Sequence, residues 1–432
     1  MNFKAACSLV ENELNSLWEG QDSDGLSAME LQKRAIIGYK AEVDTLKSQI
    51  KEVIVKLEIT VDIPSWYLSI EDAVFNEVWG FTGMAEWFTE EYADSSSAKI
   101  IGDRIYFLKD GVMKLMPQKI DADRREQFVR ALLLRTPEER ADKTFHELYM
   151  LDGTRVTVFR EGIAKTGLDV IIFRRYIVPM FTFEEQALRN TIPQDAIPFF
   201  ESMVALGYNV AFCGSVRSAK TTFLSTWQSY EDPTLEGVMI ETDPEIPIHE
   251  LMPEAPVVQL IADGDNLGKI SKNLMRSDAD YFILAEARDG IALDTAVRIA
   301  GKGTRRMKMT FHLKDPKRFA VDAAAEIVRS LGGDIGETSL RVASSFDYIF
   351  HFINLRNKNM IKLNAIYEIS VQNREILLSE ICRYDIQEDE WKWTLHVGDD
   401  KATQGKEENS QIYSTFYKEL QRLADRESDE EV

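Results

Sequence analysis

Ile36, Tyr39, Val43, Leu46, Ile50, Val53 and Leu57 recur in steps of three and four, which places them on one face of a helix. Residues 1–62 are therefore read as a helical extension. An amphipathic helix packed on its own domain and a coiled-coil or partner-binding helix both satisfy that spacing. From about residue 70 to residue 185 the pattern is mixed, as expected of a small α+β domain. Residues 99–116 read as two strands around a turn at Lys109-Asp110-Gly111. Residues 122–134 read as a helix, 151–156 as another strand turn, and 170–176 as a strand. Pro179, Pro193 and Pro198 then punctuate the chain.

From residue 195 the rhythm changes to strand–helix alternation, which predicts a parallel α/β sheet extending to about residue 397. Its strand candidates are 208–213, 237–241, 280–285, 307–311 and 347–353, with a closing antiparallel pair at 361–369 and 391–397. Residues 398–432 are polar and acidic, and are expected to form a partly disordered tail with a short helix at 412–423.

The first strand of the alternating region, 208–212, runs into CGSVRSAKTT at 213–222. Gly214, Ala219, Lys220 and Thr221 stand at the offsets of a P-loop, G-x-x-x-x-G-K-[ST], with one substitution. Such a loop turns backbone N–H groups toward phosphates, its lysine reaches the β- and γ-phosphates, and its hydroxyl holds magnesium. Gly214, Ser215, Ser218, Ala219, Lys220, Thr221 and Thr222 are the candidate nucleotide-binding set. Residues 222–228 can open the helix that the motif requires. Ala219 stands where the second glycine belongs, and its methyl group would crowd a bound phosphate. A tight strand–helix turn that binds nothing is the competing reading of the loop alone.

ATP hydrolysis also needs a carboxylate to orient water, a magnesium shell and positive charge for the transition state. Residues 238–240 run into Glu241, Asp243 and Glu245; 281–285 run into Glu286 and Arg288; 307–311 run into His312. In an open α/β sheet the ligand site lies off the carboxyl ends of the strands. Each cluster alone would equally serve as an ordinary strand-end carboxylate or a structural histidine. Together, behind a P-loop strand, they form a set.

Residues 95–370 resemble the ATPases of bacterial secretion and pilus machines, in particular their Tad/Flp-pilus (CpaF-like) branch. Four signatures of that family occur in order: GSVRSAKTT for Walker A, IETDPEI for the acidic box, YFILAEARDG for Walker B and MTFHLKDP for the His box. LDGTRVTVF and IIFRRY resemble the last strands of its N-terminal domain, and LMRSDAD the segment before Walker B. The resemblance implies a RecA-like P-loop domain behind a smaller α+β domain, ATP and Mg2+ as cofactors, and a ring of copies, six in the family. It also implies a polytopic membrane platform protein as partner and a cytoplasmic location at the inner face of the membrane.

By motif position the family assigns Lys220 to phosphate and Thr221 to magnesium. By the same resemblance Glu241 would polarise water, Glu286 would hold magnesium through water or assist catalysis, and His312 would sense or contact the γ-phosphate. Arg174 matches the N-domain arginine that reaches across the cleft, with Arg175 as its neighbour and alternative. Arg155, Arg276 and Arg288 are weaker candidates, equally readable as structural ion pairs. The chain departs from the family at Ala219, at Thr242 where aspartate follows the acidic-box glutamate, at Ala285 where glycine precedes Glu286, and at Lys302 where histidine is common. These departures motivate a second expectation, a non-hydrolysing nucleotide-binding scaffold of the same kind of machine.

Composition adds limits. With 432 residues, the chain is long enough for two or three domains. A net charge of −21 disfavours a nucleic-acid partner, and with it a DNA-handling motor. Three scattered cysteines match no metal or disulfide spacing, as expected in a reducing compartment. No apolar run reaches membrane-spanning length and no leader pattern opens the chain, so any membrane role is expected to run through a partner. Lys302, Arg305, Arg306, Lys308, Lys314, Lys317 and Arg318 form a basic stretch in this acidic protein. It reads either as a solvated surface with local counter-charges or as an inter-subunit or phosphate-facing surface, with the acidic tail one available partner.

Overall fold

The computed structural model describes residues 1–19, 25–134, 136, 143–175, 180–242, 244–262, 264–274, 276–287, 289–355 and 360–430, without the side chains of 19, 25–27 and 427–430. Pro179, Asp243 and Arg288 lie outside the described residues. The chain divides into two compact units, Met1–Ile177 and Val178–Val432.

The first unit opens with α1 (Phe3–Glu19), α2 (Gly25–Ile37), α3 (Lys40–Lys56) and α4 (Ile70–Val78). Leu46, Ile50 and Val53 bury against Val10, Leu14, Val74 and Phe75. The heptad-spaced run is thus part of a core within its own unit, and Gly38 at φ 101° interrupts it between α2 and α3.

There follow β1 (Ser97–Ile101), β2 (Arg104–Lys109), β3 (Val112–Lys119), α5 (Ala122–Leu133), β4 (Phe145–Tyr149), β5 (Arg155–Phe159) and β6 (Val170–Arg174). Among the described residues these strands form one antiparallel sheet in the order β3-β2-β1-β6-β5-β4. Alternate residues such as Ile100, Phe107, Val156 and Phe173 face Phe128 and Leu132 of α5. The expected pair of strands at 99–116 is three strands, because Gly102 at φ 63° adds a turn before the one at Asp110-Gly111.

The second unit contains α6 (Phe183–Leu188), α7 (Ile197–Ala205), β7 (Val210–Gly214), α8 (Lys220–Ser229), β8 (Gly237–Glu241), α9 (Ile248–Leu251), β9 (Val257–Ile261), α10 (Gly264–Leu274) and β10 (Tyr281–Leu284). It continues with α11 (Gly290–Ala300), β11 (Lys308–His312), α12 (Phe319–Leu331), α13 (Ile335–Ser345), β12 (Tyr348–Leu355), β13 (Met360–Gln372), β14 (Glu375–Asp385), β15 (Glu390–Trp393) and α14 (Asp399–Glu430). The sheet order among the described residues is β15-β14-β13-β12-β7-β11-β10-β8-β9. The six strands from β12 to β9 run parallel, and β13, β14 and β15 extend the sheet antiparallel. This is a RecA-like α/β unit, with the loop-bearing strand β7 at its centre.

β7 is buried on both faces, so its sequence is apolar throughout rather than alternating. Phe212 joins a core with Phe200, Phe223, Trp227 and Phe350. Ala211 and Cys213 face a second core with Met309, Phe311 and Ile349. Because neither neighbour of β7 is adjacent to it in sequence, the sheet order switches there, which opens the crevice used by ligands in such folds.

Two strands of this unit, β9 and β14, had no counterpart among the expected ones. The segment expected to be a partly disordered acidic tail is α14, and the expected short helix at 412–423 is only its central part. Tyr413, Phe416, Leu420 and Leu423 enter the core beside Phe199, which orders the segment despite its acidity. Asn409, with φ −161° and ψ 106°, kinks the helix. It caps the second half by accepting the N–H groups of Gln411 and Ile412 at 3.0 and 3.1 Å.

Candidate functional site

β7 ends at Gly214 because nothing larger fits there: a Cβ at this position would lie 2.4 Å from the carbonyl oxygen of Phe352 on β12. Six residues later, at Lys220, α8 begins, and the loop between them contains two left-handed residues, Arg217 at φ 62° and Ala219 at φ 57°. Ala219 is thus a non-glycine residue in a glycine-favouring conformation at the N-cap of α8. Alternating left-handed residues turn backbone N–H groups to one side, which makes a concave anion seat next to the positive end of a helix.

Among the described residues, three side chains hold the loop. The Ser218 hydroxyl donates to the Ser215 carbonyl at 2.8 Å. Lys220 Nζ donates to the same carbonyl at 2.9 Å. Asn354 Nδ2, from β12, donates to the Arg217 carbonyl at 2.9 Å. Thr221 and Thr222 are half-buried in the first turn of α8, where the Thr222 carbonyl accepts the Thr226 hydroxyl at 3.1 Å.

Lys220 then leads away from the loop. Its Nζ lies 3.2 Å from His312 Nδ1 at the end of β11, and His312 Nε2 lies 3.1 Å from Glu286 Oε1 just beyond β10. An ammonium can donate to Nδ1 only when the ring is neutral and carries its proton on Nε2, which is then the donor to Glu286. The sheet sets this alignment: β11 lies between β7 and β10, with His312 paired to Gly214 in register. The Thr310 hydroxyl donates to the Ala285 carbonyl and holds the end of β10.

Burial pushes the Lys220 ammonium down to about 8, against the opposing pull of the Glu286 and Glu245 carboxylates. Burial also raises the Cys213 thiol beneath the loop well above its ordinary range. Glu241, at the end of β8, is buried, and its Oε1 accepts the backbone N–H groups of Glu245 and Ile246, each at 3.0 Å. Here it supports its own loop.

The structure therefore brings Gly214, Ser215, Ser218, Ala219, Lys220, His312 and Glu286 together, with Thr221 and Thr222 in the adjoining helical turn. Arg174 is an exposed residue at the end of β6, in the first unit. Arg175 is occupied structurally: its guanidinium lies 4.0 Å from the Trp87 ring centre and donates to the carbonyls of Trp87 and Tyr92. Arg155 pairs with Glu147, and Arg276 is exposed. Asn354 was not among the expected site residues. A lone asparagine at a strand end has no local signature, and only the β12–β7 register brings it to the loop.

No protein-family model matches the sequence, and no curated protein matches it. Solved structures with a similar chain path include the VirB11 ATPase of the Brucella suis type IV secretion system in complex with sulphate, at 14% identity over 66% of this chain and 92% of that one, with a TM-score of 0.37. The Legionella pneumophila ATPase DotB is similar at 14% identity over 84% of this chain and 90% of that one, TM-score 0.46. The pilus retraction motor PilT with bound ADP is similar at 14% identity over 74% of this chain and 84% of that one, TM-score 0.46.

Proposed function

We propose that this protein is a magnesium-dependent ATPase that powers a membrane-associated secretion or pilus-assembly machine, of the Tad/Flp-pilus branch. It acts as a ring of its own copies, six by the resemblance, at the cytoplasmic face of the membrane. A polytopic platform protein receives the motion. Among the described residues no helix is long and apolar enough to cross a membrane.

The observation that carries this reading is the contiguous chain Lys220–His312–Glu286 at the mouth of the loop. It joins a lysine, an imidazole and a carboxylate from three different elements at the carboxyl edge of the sheet. The residues suit a magnesium–nucleotide: a preformed concave backbone, a buried lysine and a helix N-terminus meet there. Bound Mg-ATP supplies the phosphoanhydride to be cleaved and the divalent charge that offsets the phosphates. Lys220, released from the Ser215 carbonyl, neutralises phosphate oxygens. The Thr221 hydroxyl and Glu286 are the residues to hold the metal, the latter through water. Glu241 orients the attacking water once its carboxylate turns from the amides of Glu245 and Ile246. His312 passes from Lys220 to the terminal phosphate, and Arg174 is the candidate source of positive charge for the transition state.

Phosphate release from Mg-ATP by the purified oligomer tests the reading. We expect turnover in the wild type, none in Lys220→Ala, and retained ADP binding without turnover in Glu286→Gln. Wild-type protein that releases no phosphate would sink it. The second reading, a nucleotide-binding scaffold that does not hydrolyse, draws on the Ala219 methyl group and on the engaged carboxylate of Glu241. An inert wild type that Ala219→Gly converts into an active enzyme would establish that second reading.

A further inference from the structure

The phosphate loop achieves its curvature without glycine at either left-handed position, since Arg217 and Ala219 occupy them. Side chains resist that conformation, so the loop needs support from outside itself. The Ser218 and Lys220 bonds to the Ser215 carbonyl are internal to the loop, and Lys220 has to leave on binding phosphate. Side-chain support from outside the loop comes from the neighbouring strand. β12 runs parallel to β7 with Phe352 opposite Gly214. Asn354 therefore lies two residues beyond the point where β7 has turned into the loop. Its backbone remains paired with Ile361 of β13, while its amide reaches back to the Arg217 carbonyl at 2.9 Å.

We propose that Asn354 is a positioning residue of the phosphate loop. Its amide holds Arg217 in the left-handed conformation and so presets the loop for phosphate, standing in for the missing glycine freedom. This rests on the nucleotide-binding reading above. An amide suits the task because it offers a donor without charge beside an anion seat. A carboxylate there would face the Arg217 carbonyl with acceptors only and would repel phosphate.

The test uses the full chain and two readouts. The first is Mg-ADP affinity by calorimetry. Asn354→Ala is expected to weaken binding about 3- to 10-fold, the scale of one lost hydrogen bond, and Asn354→Asp to weaken it further. Arg217→Gly removes the strain that the tether resists, so adding Asn354→Ala to Arg217→Gly should change affinity less than twofold. The second readout is hydrogen exchange at residues 215–219 without nucleotide, which should be faster in Asn354→Ala than in wild type and insensitive to Asn354 once Arg217→Gly is present. Equal affinities for wild type and Asn354→Ala, or a penalty that Arg217→Gly leaves unchanged, would overturn the proposal. If the wild type binds no Mg-ADP, the function reading fails and the phosphate role fails with it. Exchange at 215–219 that is the same in wild type and Asn354→Ala overturns the tether itself, whatever the nucleotide result.

Discussion

Ala219 shows how much one residue can carry and how little of that is legible beforehand. The motif spacing identified the position, but whether the methyl group is tolerated depends on φ, which spacing does not encode. At φ 57° the alanine costs about 1 kcal/mol relative to glycine, part of which a glycine returns through the freer unfolded chain. Ala219→Gly is therefore expected to raise Tm by roughly 1–3 °C in a unit of this size, as scanning calorimetry would show. Lys220 allows a sharper prediction. Its ammonium gives up the proton near pH 8 in the folded protein, against an ordinary value of 10.5. Between those values the unfolded chain binds more protons, so the contribution of this group to stability rises with pH across that window. Affinity runs the opposite way. A lysine titrating near 8 is about 90% charged at pH 7 and about 10% at pH 9, so Mg-ADP binding should weaken by up to about tenfold between them. A pH-independent Kd would show that the lysine does not meet the phosphates.

Between elements, the lysine-bearing helix and the histidine-bearing strand are tied at their far ends as well. Lys308, at the start of β11, donates to Glu231 just past α8 at 2.7 Å, and both side chains are buried. Arg306 also pairs with Glu231, and it reaches Glu408 of α14 at 2.6 Å. Arg305 engages Glu407 and Glu408 at 3.1 and 2.9 Å. At this end the basic stretch is therefore counter-charged within the chain, with the acidic segment as one partner. Removing one member of such a buried set leaves charge without its partner. Glu231→Gln should lose about 3–5 kcal/mol in urea unfolding, whereas Glu231→Gln with Lys308→Met should recover much of that loss. Phe416→Ala, inside α14, should cost about 3–5 kcal/mol, where a solvated tail would give no change. The spacing of Tyr413, Phe416, Leu420 and Leu423 already carried that signal, but the surrounding acids masked it. β14 was illegible for a related reason: glutamate and arginine interrupt its apolar positions, and it is stabilised by pairing with β13 rather than by local preference.

On the scale of the molecule, every distance in the candidate site lies within the second unit, while Arg174 belongs to the first. Each unit has its own buried cores, Phe128 and Phe173 in one and Phe212 and Phe350 in the other. Each should fold alone with a single cooperative transition. Residues 180–432 should then bind Mg-ADP within about threefold of the full chain, because the loop and its supports are intact. Turnover should separate from binding. If Arg174 supplies transition-state charge, the fragment should lose at least about a hundredfold in kcat, since such arginines contribute ~10³ or more. Arg174→Ala in the full chain should reproduce that loss while leaving Tm unchanged. Arg175→Ala should behave differently, lowering Tm through the lost Trp87 contacts and altering kcat only in proportion to the folded fraction. The sequence places two arginines side by side at the end of one strand and leaves the choice between them open. Strand alternation separates them: Phe173 points into the core and Arg174 outward, and Arg175 beyond the strand folds back over Trp87. A kcat loss in Arg175→Ala at full stability, with Arg174→Ala unaffected, would reverse the assignment.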